Sequence, residues 1–463
     1  MSTLQRRIAV IGSGAAGMSA AHTLATSAQA AAGDLHVTLI EADHRLGGKV
    51  LTSPFAGHPA IDEGPDAFLA RLPWGTALAK AVGLGDQLVA PTSGKAAVWW
   101  DGLHQIPEGL LLGMPTDVFK LAKSTLLTWG GKFRAATEPF RPRTSLADDS
   151  LGGYVRTRFG DQVHLRLVDP LVGSIYAADT DHFSLAGVPQ IYDLASKARS
   201  VLIAGRTMPK PSPTAGPVFY APTGGMGSLI QATAEVARAH GAELRTGAPV
   251  STVERGAGGV GWLVDGEAFD AVVLACPAKA AALLLANVAV DTAATLAQIP
   301  AADVAMVSLA IHETDWPAHL RGMSGYLVPK PMQRLVTAAS FGSQKWSHWQ
   351  VGDHVILRIS LGRDGLPVLH LSDEQLLTAA VEEVGHHIGL TLEPIHARVS
   401  RWQGAFPQYR PHHAERLAVA EGQLPVGLAL AGASYHGIGV PACIRSGKSA
   451  AERLTEQLFP VAD

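Results

Sequence analysis

The chain has 463 residues, more than one hydrophobic core usually supports, so two or three domains are expected. Hydrophobic residues make up 47% of the sequence and charged residues 17%, a balance typical of a globular protein and not of a disordered chain. A formal net charge of −3 gives no indication of a nucleic-acid partner. The two cysteines, Cys276 and Cys443, lack CxxC spacing and are predicted to be reduced, buried thiols.

Neither the N-terminal residues nor the most apolar stretch of the chain has the pattern of an export or membrane segment. The first residues contain no long apolar run of the kind found in signal peptides, so a cytoplasmic location is expected. The most apolar stretch, residues 271–290, is interrupted by Pro277 and Lys279. It is therefore predicted to be a buried strand followed by a helix, not a membrane span.

The sequence opens with a strand, a glycine turn, a helix and a second strand. We predict strands over residues 6–11 and 37–40 and a helix over residues 15–27. Residues 270–275 form a near-continuous apolar run, as expected for another strand of a buried parallel sheet. This order of elements is typical of a Rossmann-like α/β domain.

The middle of the chain changes character twice. From residue 107 to residue 205 it is Leu-rich, with helices predicted over residues 116–128 and 162–172, and we interpret it as a helical insertion. Residues 206–221 are rich in proline and are predicted to be an extended connection. Strands at 304–311 and 355–361, followed by a helix at 373–388, then predict a second, mixed sheet.

A glycine motif lies where the first strand turns into the first helix, and it comprises Gly12, Ser13, Gly14, Ala15, Ala16 and Gly17. Glycines at this spacing let the backbone approach a pyrophosphate, which then lies at the positive end of the helix dipole. Glu41 ends the second strand and is placed to accept hydrogen bonds from ribose hydroxyls. Together these features predict a dinucleotide site.

The segment after Glu41 favours FAD over NAD. Gly47 and Gly48 allow a second close backbone approach to phosphates, while Arg45 and Lys49 add positive charge beside them. The alternative is a β-turn with solvated basic residues. A third glycine turn follows at residues 62–66, and a fourth at residues 431–441 precedes a helix predicted to end near residue 452.

The 19 histidines show no metal-ligand spacing. The adjacent pairs His386 with His387 and His412 with His413 cannot both direct their rings at one ion from a regular element. We therefore predict no metal site. The sequence also contains no G-x-S-x-G motif.

The glycine motifs resemble those of the amine oxidase and phytoene desaturase superfamily. Three further segments, residues 169–177, 401–409 and 432–441, are similar to the porphyrinogen oxidase family, and the match covers nearly the whole chain. The form of the last segment is most similar to the bacterial branch that acts on coproporphyrinogen III and supplies a ferrochelatase. The resemblance implies an α/β fold: a Rossmann-like FAD-binding domain, a mixed-sheet substrate domain and a helical insertion.

The resemblance also implies a division of the chain and a set of contacts. The FAD-binding domain takes residues 1–75, 222–290 and 421–463, the substrate domain 76–106, 206–221 and 291–420, and the helical domain 107–205. The implied FAD contacts, beyond the first glycine motif, are Glu41, Ala42, Arg45, Gly48, Lys49, Gly64, Pro65, Asp66, Ala67, Val250 (as an adenine-side strand contact), Trp402, Ile438, Gly439 and Val440. Ala433 departs from the Asp or Asn that many members of the superfamily carry after the preceding glycine, which puts the side-chain contact at this position in doubt.

The implied reaction is oxidation of coproporphyrinogen III with flavin N5 as the hydride acceptor, O2 regenerating the flavin and H2O2 as the second product. No catalytic side chain is assigned. Four propionates on such a substrate predict a pocket lined with cations, for which Arg71 is the first hypothesis and Tyr176 a ring-lining one. Weaker hypotheses are Lys95, Arg206, Lys210, Arg334 and Lys345.

Several alternatives stay open. Protoporphyrinogen IX is a second substrate hypothesis, an amine oxidase or carotenoid desaturase is a rival on the same fold, and a flavin-free binding protein is a rival of another class. In other lineages of the family the helical domain lies on a membrane surface. For residues 116–134 we prefer a core helix with solvated lysines to such an interfacial helix.

Overall fold

The computed structural model describes residues 5–146, 150–207, 216–350 and 352–460. A five-stranded parallel sheet organises the first part of the fold. Its strands, in spatial order, are Glu243–Arg245, Leu35–Ile40, Arg6–Ile11, Ala271–Leu274 and Leu428–Leu430. The two strands that flank Arg6–Ile11 both run parallel to it. Ile8 lies opposite Val37 on one side and Ala271 on the other.

Helices cover both faces of this parallel sheet, as a sheet of buried apolar strands requires. One face packs against Ala15–Ala25, Met226–Ala239 and Val440–Leu458. The other packs against Ala278–Leu285 and Val290–Ala297 and against a small antiparallel sheet of strands Val253–Arg255, Trp262–Val264 and Glu267–Phe269. The predicted α/β architecture is therefore confirmed.

The predicted element boundaries near the start are close to the observed ones. The first strand matches, the second begins two residues earlier at Leu35, and the first helix ends at Ala25. Ser27 ends the helix early because its side chain accepts a hydrogen bond from the Ala30 N–H and starts a new short helix, Ala28–Ala31.

A seven-stranded mixed sheet forms the second part. Its strands, in spatial order, are His396–Pro407, Ala301–His312, His354–Leu361, Val336–Phe341, Gly325–Leu327, Ala96–Trp99 and Leu103–Gln105. Only the pairing of Gly325–Leu327 with Ala96–Trp99 is parallel within this sheet. The helix Asp373–Ile388, with the predicted bounds and a capping box at Ser372, packs on one face.

Short elements connect the two sheets. The hairpin Thr52–Phe55 with His58–Asp62 packs against the other face of the seven-stranded sheet. Strand Phe219–Pro222 lies in the region predicted as a connection and pairs with Phe68–Leu69 and Leu88–Val89. The remaining short elements here are strands Leu110–Leu111 and Met114–Pro115 and helices Pro73–Ala81, Gly342–Lys345 and His413–Gly422.

Helices dominate residues 118–207, around a separate core. They are Val118–Ala122, Trp129–Ala136, Leu151–Phe159, Asp161–Val163, Ser174–Tyr176, Pro189–Lys197 and Val201–Thr207, with a π-helix over His164–Gly173. No helix in the described ranges is both long and apolar enough to span a membrane. The exact division of the chain into domains stays a prediction.

The predictions for this helical region are met only in part. The helix predicted over residues 116–128 ends at Ala122, because the Ser124 hydroxyl accepts the Leu126 N–H and competes with the helical backbone bonds. The helix predicted over residues 162–172 is present, but most of it is a π-helix, within which Pro170 has no N–H for an ordinary helical bond. The preferred core-helix interpretation also fails at Phe119 and Trp129, which are exposed.

Candidate cofactor and substrate site

The first helix and the C-terminal helix each follow a strand of the parallel sheet and pack against each other. Gly14 precedes the first helix and Gly439 precedes the C-terminal helix, and neither N-terminus has a side-chain cap. The two helices touch so closely that a Cβ on Gly447 would lie 1.9 Å from the Ala16 carbonyl oxygen. Free N–H groups at an uncapped, positive helix end form a site for an anionic group.

In the first glycine turn, Gly14 borders open space, whereas Gly12 and Gly17 are closely packed. Gly12 has φ +100°, and a Cβ on Gly17 would lie 1.8 Å from the Gly12 carbonyl oxygen, so both glycines are required by the turn. A Cβ on Gly14 would meet no protein atom within 4 Å. Ser13, Ala15 and Ala16 complete the turn and the first helical residues. This geometry fits a pyrophosphate placed against Gly14.

Glu41 lies beside this turn. Its carboxylate accepts hydrogen bonds from the Ser13 N–H at 2.7 Å, the Ser13 hydroxyl at 2.6 Å and the Asp43 N–H at 2.9 Å. A carboxylate has further lone pairs, so these bonds fix its orientation and leave it able to accept from a ribose. Ala42 follows at the exposed edge of the site.

Val250 is not in a strand, contrary to the prediction. The strand Glu243–Arg245 ends before it, and Gly247, with φ +65°, turns the chain so that its N–H donates to the Asp43 carbonyl. Ala248 donates to the Glu41 carbonyl in the same way. Val250 therefore follows a coil that runs beside Glu41.

The second glycine turn packs on the first. A Cβ on Gly48 would lie 3.3 Å from the Gly14 Cα, and the Gly47 N–H donates to the Ser13 carbonyl at 3.1 Å. Arg45 donates to the Gly48 carbonyl at 2.6 Å, so its guanidinium is held by the protein. The positive charge of Arg45 thus lies next to the first glycine turn, and its hydrogen bond to Gly48 also stabilises the second turn.

Lys49 joins the glycine turns to the seven-stranded sheet. Its ammonium group donates to the carbonyls of Gly404 and Ala405, both at 2.7 Å, and burial lowers the pKa of Lys49 to about 8. Trp402 lies on the same strand and donates its ring N–H to the Glu63 carbonyl at 3.0 Å. These contacts bring the predicted site residues of the two sheets together.

The third glycine turn lies between these groups. A Cβ on Gly64 would lie 2.2 Å from the Lys49 carbonyl oxygen, so only glycine fits there. Pro65 and Ala67 are half-buried next to it. Asp66 is engaged within the protein, since it accepts from Lys345 at 2.8 Å and from the Trp346 ring N–H at 3.0 Å.

The Asp66 carboxylate is held ionised by its neighbours. Burial alone would raise its pKa, but Lys345 and Arg358 hold the pKa well below its ordinary value. Arg358 also donates to the Gly64 carbonyl and so fixes the turn from the sheet side. The side chain of Asp66 therefore positions this turn.

Tyr409 connects two of the three segments that carry the family resemblance, 401–409 and 432–441. Its hydroxyl donates to the Ala433 carbonyl at 2.5 Å and accepts the Gly437 N–H at 2.8 Å. These bonds fix the loop that leads through Ile438 and Gly439 to Val440, the first residue of the C-terminal helix. The loop around Ala433 is thus held through its backbone groups, which bond the Tyr409 hydroxyl.

The Tyr409 ring belongs to a column of stacked rings. It lies 4.0 Å from the His413 ring and 6.0 Å from the Phe183 ring, and Phe183 lies 5.1 Å from Tyr176. Tyr176 is therefore half-buried against the helical core, and burial raises the pKa of its hydroxyl. The column ties the helical region to the glycine loop.

Replacing Tyr409 by Phe is expected to weaken FAD binding about tenfold, because the Ala433 carbonyl and Gly437 N–H each lose a hydrogen-bond partner. The dissociation constant of FAD, measured by flavin fluorescence with the apoprotein, checks this. Tyr192→Phe, at a half-buried tyrosine of the helix Pro189–Lys197, is the control. Equal affinities for both variants would mean that the loop is fixed by other groups.

The cations predicted to bind propionates have different surroundings. Arg71, Lys95 and Arg334 are exposed, Arg206 lies over the Phe119 ring, and Lys345 is paired with Asp66. Lys210 lies outside the described residues. Arg71, which follows the strand Phe68–Leu69, has no side-chain hydrogen bond or ion pair within the described part of the chain and remains the strongest hypothesis.

Sequence reasoning missed the buried ion pair between Asp169 and Arg363, which are bonded at 2.8 Å with almost no exposure. Asp169 lies in the π-helix and Arg363 follows the strand His354–Leu361, so the pair joins the helical region to the seven-stranded sheet. Asp169 is the first residue of segment 169–177, and the family resemblance of this segment was the one sequence signal that pointed to Asp169. Nothing in the sequence identified Arg363 as its partner.

Comparison with known proteins identifies the family of the chain. The family model described as flavin containing amine oxidoreductase matches residues 15–455. A protein of Mycobacterium tuberculosis named coproporphyrinogen III oxidase is 34% identical over 98% of both chains, and its namesake from Bacillus subtilis is 29% identical over 99% of this chain and 100% of that one. Human protoporphyrinogen oxidase is 28% identical over 96% of this chain and 98% of its own.

Solved structures give the same result for the fold. A crystal structure of a candidate protoporphyrinogen oxidase from Exiguobacterium sp. superposes with a TM-score of 0.85 at 32% identity, covering 98% of this chain and 99% of that one. Cyclohexylamine oxidase from Brevibacterium oxydans superposes with a TM-score of 0.68 at 15% identity, covering 98% and 99% of the two chains, which is a likeness of fold alone.

Proposed function

Because the chain belongs to the flavin-containing amine oxidoreductases, we propose that it uses FAD to oxidise coproporphyrinogen III to coproporphyrin III, with O2 as the acceptor and H2O2 as the second product. The observation that carries the proposal is the near-full-length similarity to proteins named coproporphyrinogen III oxidase. The reaction removes six electrons and six protons from the macrocycle and consumes three O2. The product is then available to a ferrochelatase.

Bound FAD supplies the two-electron acceptor that side chains of the protein do not provide. The residues proposed to hold it are the glycine turns around Gly14, Gly48 and Gly64, with Glu41 at the ribose, Val250 on the adenine side and Trp402 at the flavin end. The loop from Ile438 to Val440 directs the second helix N-terminus at the same region. Conjugation of the macrocycle drives the oxidation, so the protein mainly binds and orients the substrate and needs no strong base.

Initial rates of porphyrin fluorescence with the purified FAD-loaded protein test the proposal. Coproporphyrinogen III is expected to react faster than protoporphyrinogen IX after correction for autoxidation. A preference for protoporphyrinogen IX would move the protein to the second substrate hypothesis, and no rate above autoxidation on either would refute porphyrinogen oxidation. Flavin reduction by amines or phytoene would support the rival oxidases, and a protein that binds no flavin would support a binding protein.

Replacing Arg71 by Ala is expected to raise KM for coproporphyrinogen III about tenfold with a smaller change in kcat. The reason is the loss of one charge-assisted hydrogen bond to a propionate, worth about 1.5 to 3 kcal/mol. Steady-state rates measure both constants. Lys80→Ala, which removes another exposed cation from the next helix, Pro73–Ala81, is the control. Unchanged KM in both variants would exclude Arg71 from the pocket.

We also propose that the helical region rests on an anionic membrane surface. Four aromatic side chains are 73% to 84% exposed there, and they define an aromatic patch: Phe119, Trp129, Phe133 and Phe140. Lys132 lies 4.5 Å from the Trp129 ring and Arg206 lies 5.8 Å from the Phe119 ring. Exposed aromatic rings next to cations match the apolar boundary and the charge of anionic headgroups.

Flotation with lipid vesicles tests the membrane proposal. The protein is expected to float with phosphatidylglycerol vesicles at low salt, to float less at high salt, and to lose binding in a Trp129→Ser, Phe133→Ser variant. The matched control is Leu283→Ser, Val419→Ser, which removes exposed apolar side chains elsewhere. Equal binding of both variants, or no binding of the parent, would refute a role for the aromatic patch.

A further inference from the structure

Two histidines and an aspartate from distant parts of the chain meet on the seven-stranded sheet. His312 ends the strand Ala301–His312, and it lies directly opposite His354, the first residue of the antiparallel neighbour His354–Leu361. Asp353 precedes His354 in the chain. Paired positions on adjacent strands direct their side chains to the same face of a sheet at close range.

The three side chains offer one ligand atom each within a small volume. His312 Nδ1, an Asp353 carboxylate oxygen and a ring nitrogen of His354 all lie within 4.8 Å of one another. His354 Nε2 is 3.2 Å from one Asp353 oxygen, and His312 Nδ1 is 3.9 Å from the other. Ligand atoms bound at about 2.0 to 2.2 Å around one tetrahedral ion lie roughly 3.3 to 3.5 Å apart, so small side-chain rotations suffice.

We propose that His312, Asp353 and His354 form a binding site for one divalent first-row transition-metal ion of the Zn2+ type. Two imidazole nitrogens and one carboxylate oxygen are ligands that zinc accepts, and three protein ligands leave a fourth position for water. A hard cation such as Mg2+ prefers oxygen ligands and fits this set poorly. The site depends on strand pairing, which is why histidine spacing in the sequence did not predict it.

Neighbouring strands hold the site in place, and they place a further imidazole, that of His396, near it. His396, on the opposite neighbour of Ala301–His312, pairs with Ala310 and has its ring centre 6.4 Å from that of His354. His354 itself is half-buried, with 23% of its side chain exposed, so its ring has little freedom. His312 and Asp353 are exposed, with 50% and 78% of their side chains accessible, and the Asp353 backbone carbonyl accepts the Glu313 N–H.

Metal binding at this place would join the ends of two central strands. His354 lies on the same face of its strand as Arg358, four positions along, which fixes the Gly64 turn. A ligand that binds the folded sheet and not the unfolded chain stabilises the fold in proportion to its concentration. We assign the ion a structural role on the sheet and no step in catalysis.

Calorimetric titration of the untagged, FAD-loaded, metal-stripped full chain with Zn2+ tests the proposal. One ion per chain is expected to bind, with affinity lowered at least tenfold in His312→Ala and in His354→Ala. His319→Ala removes a nearby exposed histidine outside the cluster and is expected to leave affinity unchanged.

A second readout separates this site from general affinity for zinc. Co2+ bound to the parent protein is expected to show the visible absorption of a tetrahedral complex, and this absorption is expected to vanish in the double variant His312→Ala, His354→Ala. Flavin absorbance confirms that each variant is folded. No binding by the parent at 1 mM metal, or binding that both histidine variants retain in full, would overturn the proposal.

Discussion

Replacing Glu138 by Gln is expected to lower the free energy of unfolding by about 3 to 5 kcal/mol, because it leaves a buried arginine without its counter-charge. The side chains of Glu138 and Arg158 form an ion pair with no exposure to solvent. Glu138 also accepts the Ser200 hydroxyl at 2.5 Å and the Val201 N–H at 3.1 Å. The same carboxylate therefore caps the helix Val201–Thr207 as well as pairing with Arg158.

Urea denaturation followed by circular dichroism measures this loss. The control is Glu108→Gln, which breaks an ion pair with Lys120 whose two side chains are 81% and 48% exposed. No shift of the unfolding midpoint is expected for the control, since solvent screens exposed pairs. If the two variants unfold at the same urea concentration, then the buried pair contributes little to the stability of the helical region.

Predictions from the sequence were most accurate where a local sequence pattern determines the secondary structure. The first strand and the helix Asp373–Ile388 have the predicted bounds, because apolar periodicity and a capping box each specify them locally. The glycine turn around Gly14 was predictable for the same reason. Its spacing encodes a backbone path that does not depend on distant residues.

Predictions from the sequence failed where contacts between distant segments determine the local structure or the partner of a side chain. The Glu138 to Arg158 pair, the Asp169 to Arg363 pair and the Tyr409 bonds to the glycine loop all join residues whose proximity follows only from the folded chain. Propensity alone made residues 116–128 a helix, but Ser124 redirected the backbone. Lys345 appeared free for a propionate because its partner Asp66 lies on another segment.

Replacing Gly14 by Ala is expected to weaken FAD binding by about 10- to 100-fold while leaving the apoprotein as stable as before. The glycine has φ −59°, which alanine adopts without strain, and an added Cβ meets no protein atom within 4 Å. A methyl group in the space proposed for the pyrophosphate would overpack the complex by about 1 to 3 kcal/mol. Fluorescence titration with FAD and thermal unfolding of the apoprotein measure the two quantities separately.

Two further glycines make the result specific. Gly422→Ala, at another open and exposed glycine, is expected to change neither quantity. Gly17→Ala is expected to destabilise the apoprotein itself, because its Cβ would lie 1.8 Å from the Gly12 carbonyl oxygen. If Gly14→Ala binds FAD as tightly as Gly422→Ala does, the pyrophosphate does not lie against Gly14. A loss confined to Gly14→Ala, with full apoprotein stability, separates the cofactor's space from the protein's own packing.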